Sequence, residues 1–143
     1  MLAGTPACEW NMEEQSPMRY AWNQTRHMCL AAELSIADTH WSRLRGLIGT
    51  KPSDFHAGQG LWIVPSRGVH TFAMRFPIDV IYLDKEKVVV HIEQHLKPWR
   101  MAPMRMRAAS VLELPAETLR SSGTMLGDQI EITVGKPQEA LSA

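Results

Sequence analysis

The run Ile78–Leu83 constrains the fold most, because it predicts a strand that is apolar on both of its faces. Successive side chains of a strand point to opposite faces, and both sets in this run are largely aliphatic or aromatic. Such a strand is expected to be covered on both sides. A second strand-forming run, residues 87–92, follows a short polar segment, and together the two runs predict a β-hairpin.

Asp79 is the one charged residue inside the first run. A buried carboxylate must be paired or hydrogen-bonded, or its pKa rises. The nearest candidate partners are His70, Arg75 and the backbone amides before Pro77. An aspartate and a histidine in one pocket are typical of an acid–base pair or of two metal ligands. A purely structural polar cluster that fixes the loop before the strand is the alternative.

The remaining patterns predict the fold class. Period-two runs lie at residues 26–37, 60–64, 110–114 and 129–134, and the first of these could contain a bend near Glu33. Short apolar stripes predict helices at about residues 38–48 and 115–121, the second with Pro115 in its first turn. The chain is therefore expected to be mainly β, as a compact antiparallel β-sandwich or a small barrel with two short helices.

Further candidate site residues lie in three segments. Glu113 is a second carboxylate among aliphatic residues, in the run 110–114. Arg43 and Arg45 on the first predicted helix could offer a guanidinium to a carboxylate, or could simply be solvated. Trp99 and Arg100, in the basic and proline-broken segment 97–107, could stack on a ligand ring or bind an anion, or form a solvated loop.

Neither the histidines nor the cysteines predict a metal site. His91 and His95 alternate with Glu93 on one strand face, but residues i and i+4 of a strand lie about 13 Å apart. They could share a metal ion only across a bulge, so a solvated face is favoured. Cys8 and Cys29 are too few for a disulfide scaffold, and the lack of a visible export signal favours free thiols. We therefore expect no bound metal and no cofactor.

Net charge and the distribution of apolar residues limit the expected partners and the expected location of the protein. Lys plus Arg equals Asp plus Glu, so the net charge is zero, which argues against a general nucleic-acid surface. No apolar run is long enough to span a membrane, and no secretory signal is visible, so a cytoplasmic location is expected. The oligomeric state is left open. We expect a loose leader over residues 1–24 that is dispensable for folding, one β domain over residues 25–135, and a tail over residues 136–143.

Several motifs, in their order and spacing, resemble one family. They are Arg43-Leu-Arg-Gly-Leu-Ile-Gly49, Gly60-Leu-Trp62, Val69-His-Thr-Phe-Ala-Met-Arg-Phe-Pro-Ile-Asp-Val80, Leu83-Asp84, Pro98-Trp-Arg100, Val111-Leu-Glu-Leu-Pro115 and Gly127-Asp128. The chain is similar over residues 28–134 to domain-of-unknown-function family 192. That resemblance implies a β-sandwich with jelly-roll character and no assigned activity. Its motif residues map onto Arg43, Arg45, His70, Met74, Arg75, Asp79, Asp84, Glu113 and Asp128.

Three functions remain open from the sequence. The favoured one is a ligand-binding or accessory module for an unknown small ligand or protein partner, with a polar pocket around His70 and Asp79. In it Arg43, Arg45, Met74, Arg75, Trp99 and Arg100 would contact the ligand. The second is a hydrolase or lyase that uses His70 with Asp79 or Glu113. The third is a structural partner protein that pairs through sheet edges.

Overall fold

The fold is described from a computed structural model of the chain, over residues 19–39, 42–43 and 46–134. Within these ranges the chain forms eight strands, seven of them in or beside the predicted runs and one, β1, outside them. They are β1 (Arg19–Asn23), β2 (Met28–Ala31), β3 (Glu33–Ala37), β4 (Gln59–Ile63), β5 (Ile78–Leu83), β6 (Val89–Leu96), β7 (Ser110–Pro115) and β8 (Ile130–Val134). One 3-10 turn, Pro52–Asp54, and one α-helix, α1 (Thr118–Ser122), complete the described elements.

The strands form two sheets. A three-stranded sheet has the order β2-β1-β8, and a five-stranded sheet has the order β3-β4-β7-β5-β6. The predicted hairpin is confirmed, since β5 and β6 pair antiparallel. Strands β3 and β4 pair in parallel, in contrast to the rest of the larger sheet. The mainly β fold is thus confirmed, whereas the parallel pair departs from the fully antiparallel sandwich, and the jelly-roll connectivity is not confirmed.

Each face of the larger sheet has its own core. Every residue of β5 and of β7 is buried, as the doubly apolar pattern predicts. One face packs Ile81, Leu83, Leu112 and Leu114 against the smaller sheet, which contributes Leu30 and Ile130. The other face packs Leu61, Val80 and Val111 under Leu47, Phe55 and Met74, which come from the long connections. These connections, not a third sheet, therefore cover the second face.

The predicted boundary of the leader is wrong for residues 19–23. They form β1, the central strand of the smaller sheet, which pairs with both β2 and β8. Tyr20, Ala21, Trp22 and Asn23 are all buried. The predicted bend near Glu33 is confirmed, because β2 ends at Ala31 and β3 begins at Glu33. Residues 1–18 and 135–143 lie outside the described residues, so the leader and the tail stay predictions there.

The helices agree with the sequence only in part. In the first predicted helix, Ser42 and Arg43 are helical, and the Gly46 amide donates to the Ser42 carbonyl at 3.0 Å. Residues 40–41 and 44–45 of that helix lie outside the described residues. The second helix begins at Thr118, not at Pro115, because Pro115 is still paired with Ile78 in the sheet. In the described part of the chain no helix is long and apolar enough to cross a membrane.

Replacing Gly123 with alanine is expected to lower the free energy of unfolding by about 1 kcal/mol. Gly123 ends α1 at a φ of +68°, where its amide donates to the Leu119 carbonyl. A Cβ there would meet nothing within 4 Å, so the cost comes from backbone strain alone. A urea melt measures it. Ser121→Ala on the exposed side of the same helix is the control, and an equal loss in both variants would contradict the strain explanation.

Candidate functional site

Asp79 is fully buried, as predicted, but its partners are not the predicted ones. Its Oδ1 accepts from the His95 amide at 2.9 Å, and its Oδ2 accepts from the Leu119 amide at 2.8 Å. His95 lies where the pairing of β5 with β6 shifts register, at a φ of +53°. Leu119 lies in the first turn of α1. Asp79 therefore joins the irregular end of β6 to the start of α1, which is a structural role.

The other residues of the predicted His70–Asp79 pocket lie elsewhere. His70 forms an isolated bridge with Met101 and stacks on Phe72 at a ring-centroid distance of 5.3 Å. Its Nδ1 is buried and has no hydrogen-bond partner among the described residues. Arg75 is exposed. Since backbone amides bind both oxygens of Asp79, the predicted pairing of Asp79 with His70 or Arg75 is wrong.

Met74 and Arg43 have separate surroundings in the described part of the structure. Met74 is 4% exposed and belongs to the hydrophobic core, so its predicted place in a ligand site is not supported. Arg43 is half-buried, with Nη1 3.5 Å from the Asp38 carbonyl oxygen. Arg45 lies outside the described residues. Trp99 and Arg100 are exposed on the segment 97–107, and the two donors to Asp79 are the amides of His95 and Leu119 instead.

Glu113 lies on the opposite face of the larger sheet from Asp79. In the pairing of β5 with β7, Glu113 is directly opposite Val80, and Asp79 is opposite Leu114. Directly paired residues share a face and consecutive residues do not. The two buried carboxyl groups, which the sequence offered as alternative partners for His70, therefore cannot act together.

The Glu113 carboxyl group, unlike that of Asp79, accepts no backbone hydrogen bond among the described residues. The residue is 2% exposed, and its Oε2 has no hydrogen-bond partner among the described residues. Burial raises the pKa of Glu113 from its ordinary value of 4.5 to about 8. The carboxyl group is therefore mostly protonated at neutral pH, and any ligand that hydrogen-bonds or neutralises it gains a desolvated partner.

A cavity of about 550 Å³ lies beside Glu113. Its larger apolar lining residues come from four separate segments of the chain and are Leu34, Leu47, Phe55 and Leu61. Arg19, Glu33, Asp54 and Gln59 are among the polar residues of its lining. Gly46 also lines the cavity, and a Cβ at Gly46 would lie 3.9 and 4.0 Å from the two oxygens of Glu113. The carboxyl group thus lies directly behind a side-chain-free part of the cavity wall.

The histidines of β6 bind separate glutamates. His91 Nε2 lies 2.6 Å from Glu93 Oε2, and His95 Nε2 lies 2.6 Å from Glu117 Oε1. Within residues 19–39, 42–43 and 46–134, no group of three or more His, Cys, Asp or Glu residues is placed to hold a metal ion. The pairing of β5 with β6 does shift register between Glu93 and Leu96, as sharing a metal ion would require. The two histidines nevertheless contact different carboxylates.

Asp128 forms a second buried polar cluster, at the start of β8. Its Oδ2 accepts from Asn23 Nδ2, Arg26 Nε and the Met125 amide, each at 3.0 Å. Burial would raise the pKa of Asp128, but these hydrogen bonds, first that of Arg26, outweigh burial and lower it. The family motif pointed to Asp128. Asn23 was not among the predicted site residues, because its strand was missed.

Cys29 is disulfide-bonded, in contrast to the expected free thiol. The only other cysteine of the chain, Cys8, lies outside the described residues. The location of the protein stays a prediction.

Comparison with known sequences identifies one family of similar proteins. The sequence model of DUF192, described as "Uncharacterized ACR, COG1430", matches residues 21–132. The UPF0127 protein PH1112 of Pyrococcus horikoshii is 32% identical over 114 residues, which cover 76% of this chain and 95% of that protein.

Two solved structures share the fold at low sequence identity. A protein of unknown function from Novosphingobium aromaticivorans has a TM-score of 0.69 at 16% identity, covering 87% of this chain and 91% of its own. A protein from Sinorhizobium meliloti, named as a candidate transcription regulator, has a TM-score of 0.63 at 20% identity, covering 83% and 97%. At these identities the likeness concerns the fold alone.

Proposed function

The chain belongs to DUF192, a family of uncharacterised proteins, and we propose that it is a small-molecule-binding module whose ligand occupies the cavity beside Glu113. The observation that carries this proposal is the buried Oε2 of Glu113, which has no partner among the described residues and lies behind the cavity wall at Gly46. A buried polar group without a partner costs stability, so a native structure that keeps one calls for a reason, such as a ligand. The site thus replaces the pocket that the sequence placed around His70 and Asp79.

Size and charge define the ligand class. A cavity of about 550 Å³ falls within the usual range of small-molecule sites. The apolar lining suits a hydrocarbon or aromatic body. Among the described residues, the carboxylates of Glu33 and Asp54 on the lining outnumber the guanidinium of Arg19, and the Glu113 carboxyl group lies behind the lining. This charge distribution favours a ligand with a compact apolar body and one protonated amine.

Binding of an amine would be coupled to the protonation of Glu113. An ammonium group beside the carboxyl group favours its ionised form, so Glu113 releases a proton as the ligand binds. The pKa of about 8 in the free protein makes this release harder at lower pH. Affinity is therefore expected to increase between about pH 6 and pH 8.

Benzylamine is expected to raise the melting temperature of the full chain by about 5 to 10 °C when its concentration is about 100 times its dissociation constant. Benzyl alcohol has a similar shape without the positive charge and should have little effect. Glu113→Gln should remove the response to the amine, because a neutral amide cannot neutralise an ammonium group. Thermal melts near pH 6 and near pH 8 measure both effects.

Glu86→Gln is the control for this experiment, because Glu86 is an exposed glutamate that does not line the cavity. That variant should keep most of the amine response. Equal shifts with the alcohol and the amine would contradict the ligand class. A response that is unchanged in Glu113→Gln, or the absence of any response to amines, would contradict the proposed site.

A further inference from the structure

A second feature is a group of exposed apolar side chains on the segments 68–72 and 97–107, and we call it the methionine surface. It consists of Phe72, Trp99, Met101, Met104 and Met106, whose exposed fractions run from 39% to 74%. Among the described residues, only Met125 and Leu126 are other large hydrophobic residues with comparable exposure. A cluster of this kind on a folded surface marks an interaction site more often than scattered single residues do.

The backbone beneath this surface is held in one conformation. Thr71 is fully buried, its Oγ1 donates to the Lys97 carbonyl at 2.6 Å, and it accepts from the Arg100 amide at 2.9 Å. The Trp99 amide donates to the Thr71 carbonyl at 2.9 Å, and Trp99 has a φ of +63°. A bulky residue rarely adopts that conformation, so its neighbours must hold it there. Trp99 is thus held with its side chain 63% exposed, so binding through this residue costs little further conformational entropy of the backbone.

The surroundings of the methionine surface are cationic. A groove of about 480 Å³ beside Met104 and Met106 is also lined by Arg67, Lys85 and Arg107. Residues 97–107 contain four basic residues and no acidic one, although the whole chain has no net charge. In the described part of the chain, none of these cations forms a salt bridge with a carboxylate. Their positive charge is therefore available to an external anion.

We propose that the methionine surface attaches the domain to an anionic lipid bilayer. Trp99 and the methionines enter the interface, and the surrounding arginine and lysine side chains contact the lipid phosphates. Apolar side chains that project from a cationic rim are typical of interfacial attachment, and tryptophan favours the headgroup level. The three most exposed side chains of this surface are methionines, whose flexible chains adapt to acyl chains and, unlike aromatic rings, offer no flat face for a nucleic-acid base.

Sedimentation with lipid vesicles tests this proposal. The full chain is expected to bind vesicles of equal parts phosphatidylcholine and phosphatidylglycerol, and not vesicles of phosphatidylcholine alone. Each cation near an anionic surface contributes about fivefold, so Arg100→Gln with Arg107→Gln should weaken binding by about 30-fold. Trp99→Ser should weaken it by about tenfold, because it removes one large apolar side chain from the interface.

The chain offers matched controls for both kinds of change. Arg120→Gln removes an exposed arginine on α1, and Leu126→Ser removes an exposed aliphatic side chain away from the methionine surface. Both should bind vesicles within about twofold of the unchanged chain, since neither approaches the lipid. All the altered residues are exposed, so thermal melts should show an unchanged fold.

Three outcomes would overturn the proposal. The first is no binding to the anionic vesicles at low salt. The second is an equal loss in Arg120→Gln and in the Arg100, Arg107 double variant, which would indicate overall charge rather than this surface. The third is binding that Trp99→Ser leaves unchanged and that a polyglutamate peptide matches in strength. That third result would assign the surface to an acidic protein partner.

Discussion

Replacing Asp79 with alanine is expected to lower the free energy of unfolding by about 3 to 5 kcal/mol, since each hydrogen bond to a charged group contributes about 1.5 to 3 kcal/mol. The variant leaves the amides of His95 and Leu119 without their acceptor. Both amides lie at places where the regular backbone pairing is interrupted, so neither has a ready substitute. Denaturation in urea, followed by circular dichroism, measures the loss.

Asp79→Asn is a finer test of the same contact. The asparagine oxygen can accept from one amide, but its NH2 group would face the other, so a loss of about 2 to 3 kcal/mol is expected. Asp38→Asn is the matched control, because Asp38 is exposed and should change stability by less than about 0.5 kcal/mol. A near-neutral result for both Asp79 variants would mean that the carboxyl group is not structural.

The second large effect is a gain of stability in Glu113→Gln, by about 3 kcal/mol at pH 7. The folded pKa of about 8 lies above the ordinary value of 4.5, so the folded chain binds the proton more tightly than the unfolded chain. The stability is complete below about pH 4.5 and is lost progressively as the pH rises to about 8. One pKa unit corresponds to about 1.4 kcal/mol, so the total loss is at most about 5 kcal/mol. Glutamine keeps the shape without the ionisation.

Urea melts between about pH 4.5 and pH 9 measure this difference. The unchanged chain should lose stability relative to Glu113→Gln as the pH rises, and the two curves should meet near the acid end. Glu33→Gln, at an exposed carboxyl group, should follow the unchanged chain throughout. Parallel curves for the unchanged chain and Glu113→Gln would show that Glu113 is not desolvated.

The two predictions together separate two kinds of buried carboxyl group. Asp79 is fully bonded, and losing it weakens the fold. Glu113 is unbonded at Oε2, and neutralising it strengthens the fold while removing the proposed ligand contact. A group that reduces stability in the free protein is more typical of a binding or catalytic site than of a structural one.

The local sequence pattern was enough to predict much of the larger sheet and the burial of both Asp79 and Glu113. The run Ile78–Leu83 is apolar on both faces, and its burial is complete. Glu113 sits in a similar run, and its burial follows for the same reason. Strand β1 was missed because Tyr20 and Trp22 alternate with the small residues Ala21 and Asn23, without the aliphatic residues that make a strand pattern clear.

The partners of the buried groups could not be predicted, because they depend on tertiary register. The Leu119 amide lies 40 residues from Asp79 in the sequence, and the His95 amide becomes available only where β6 shifts its pairing. The cavity likewise combines Leu34 and Leu61, which the parallel pairing of β3 and β4 brings together, with Leu47 from the connection between those strands. No local pattern contains that information.

The pairing of β1 with β8 has a consequence for the synthesis of the chain. The Tyr20 hydroxyl donates to Glu131 across 111 positions of sequence, and β1 is the central strand of its sheet. A ribosome that adds roughly 5 to 20 residues per second needs roughly 5 to 20 s to pass from one of these strands to the other. During that interval the aromatic side chains of β1 lack their contacts with β8, which has not yet been synthesised. The nascent chain is therefore expected to be a client of chaperones until its last described strand has emerged, and to close its smaller sheet last.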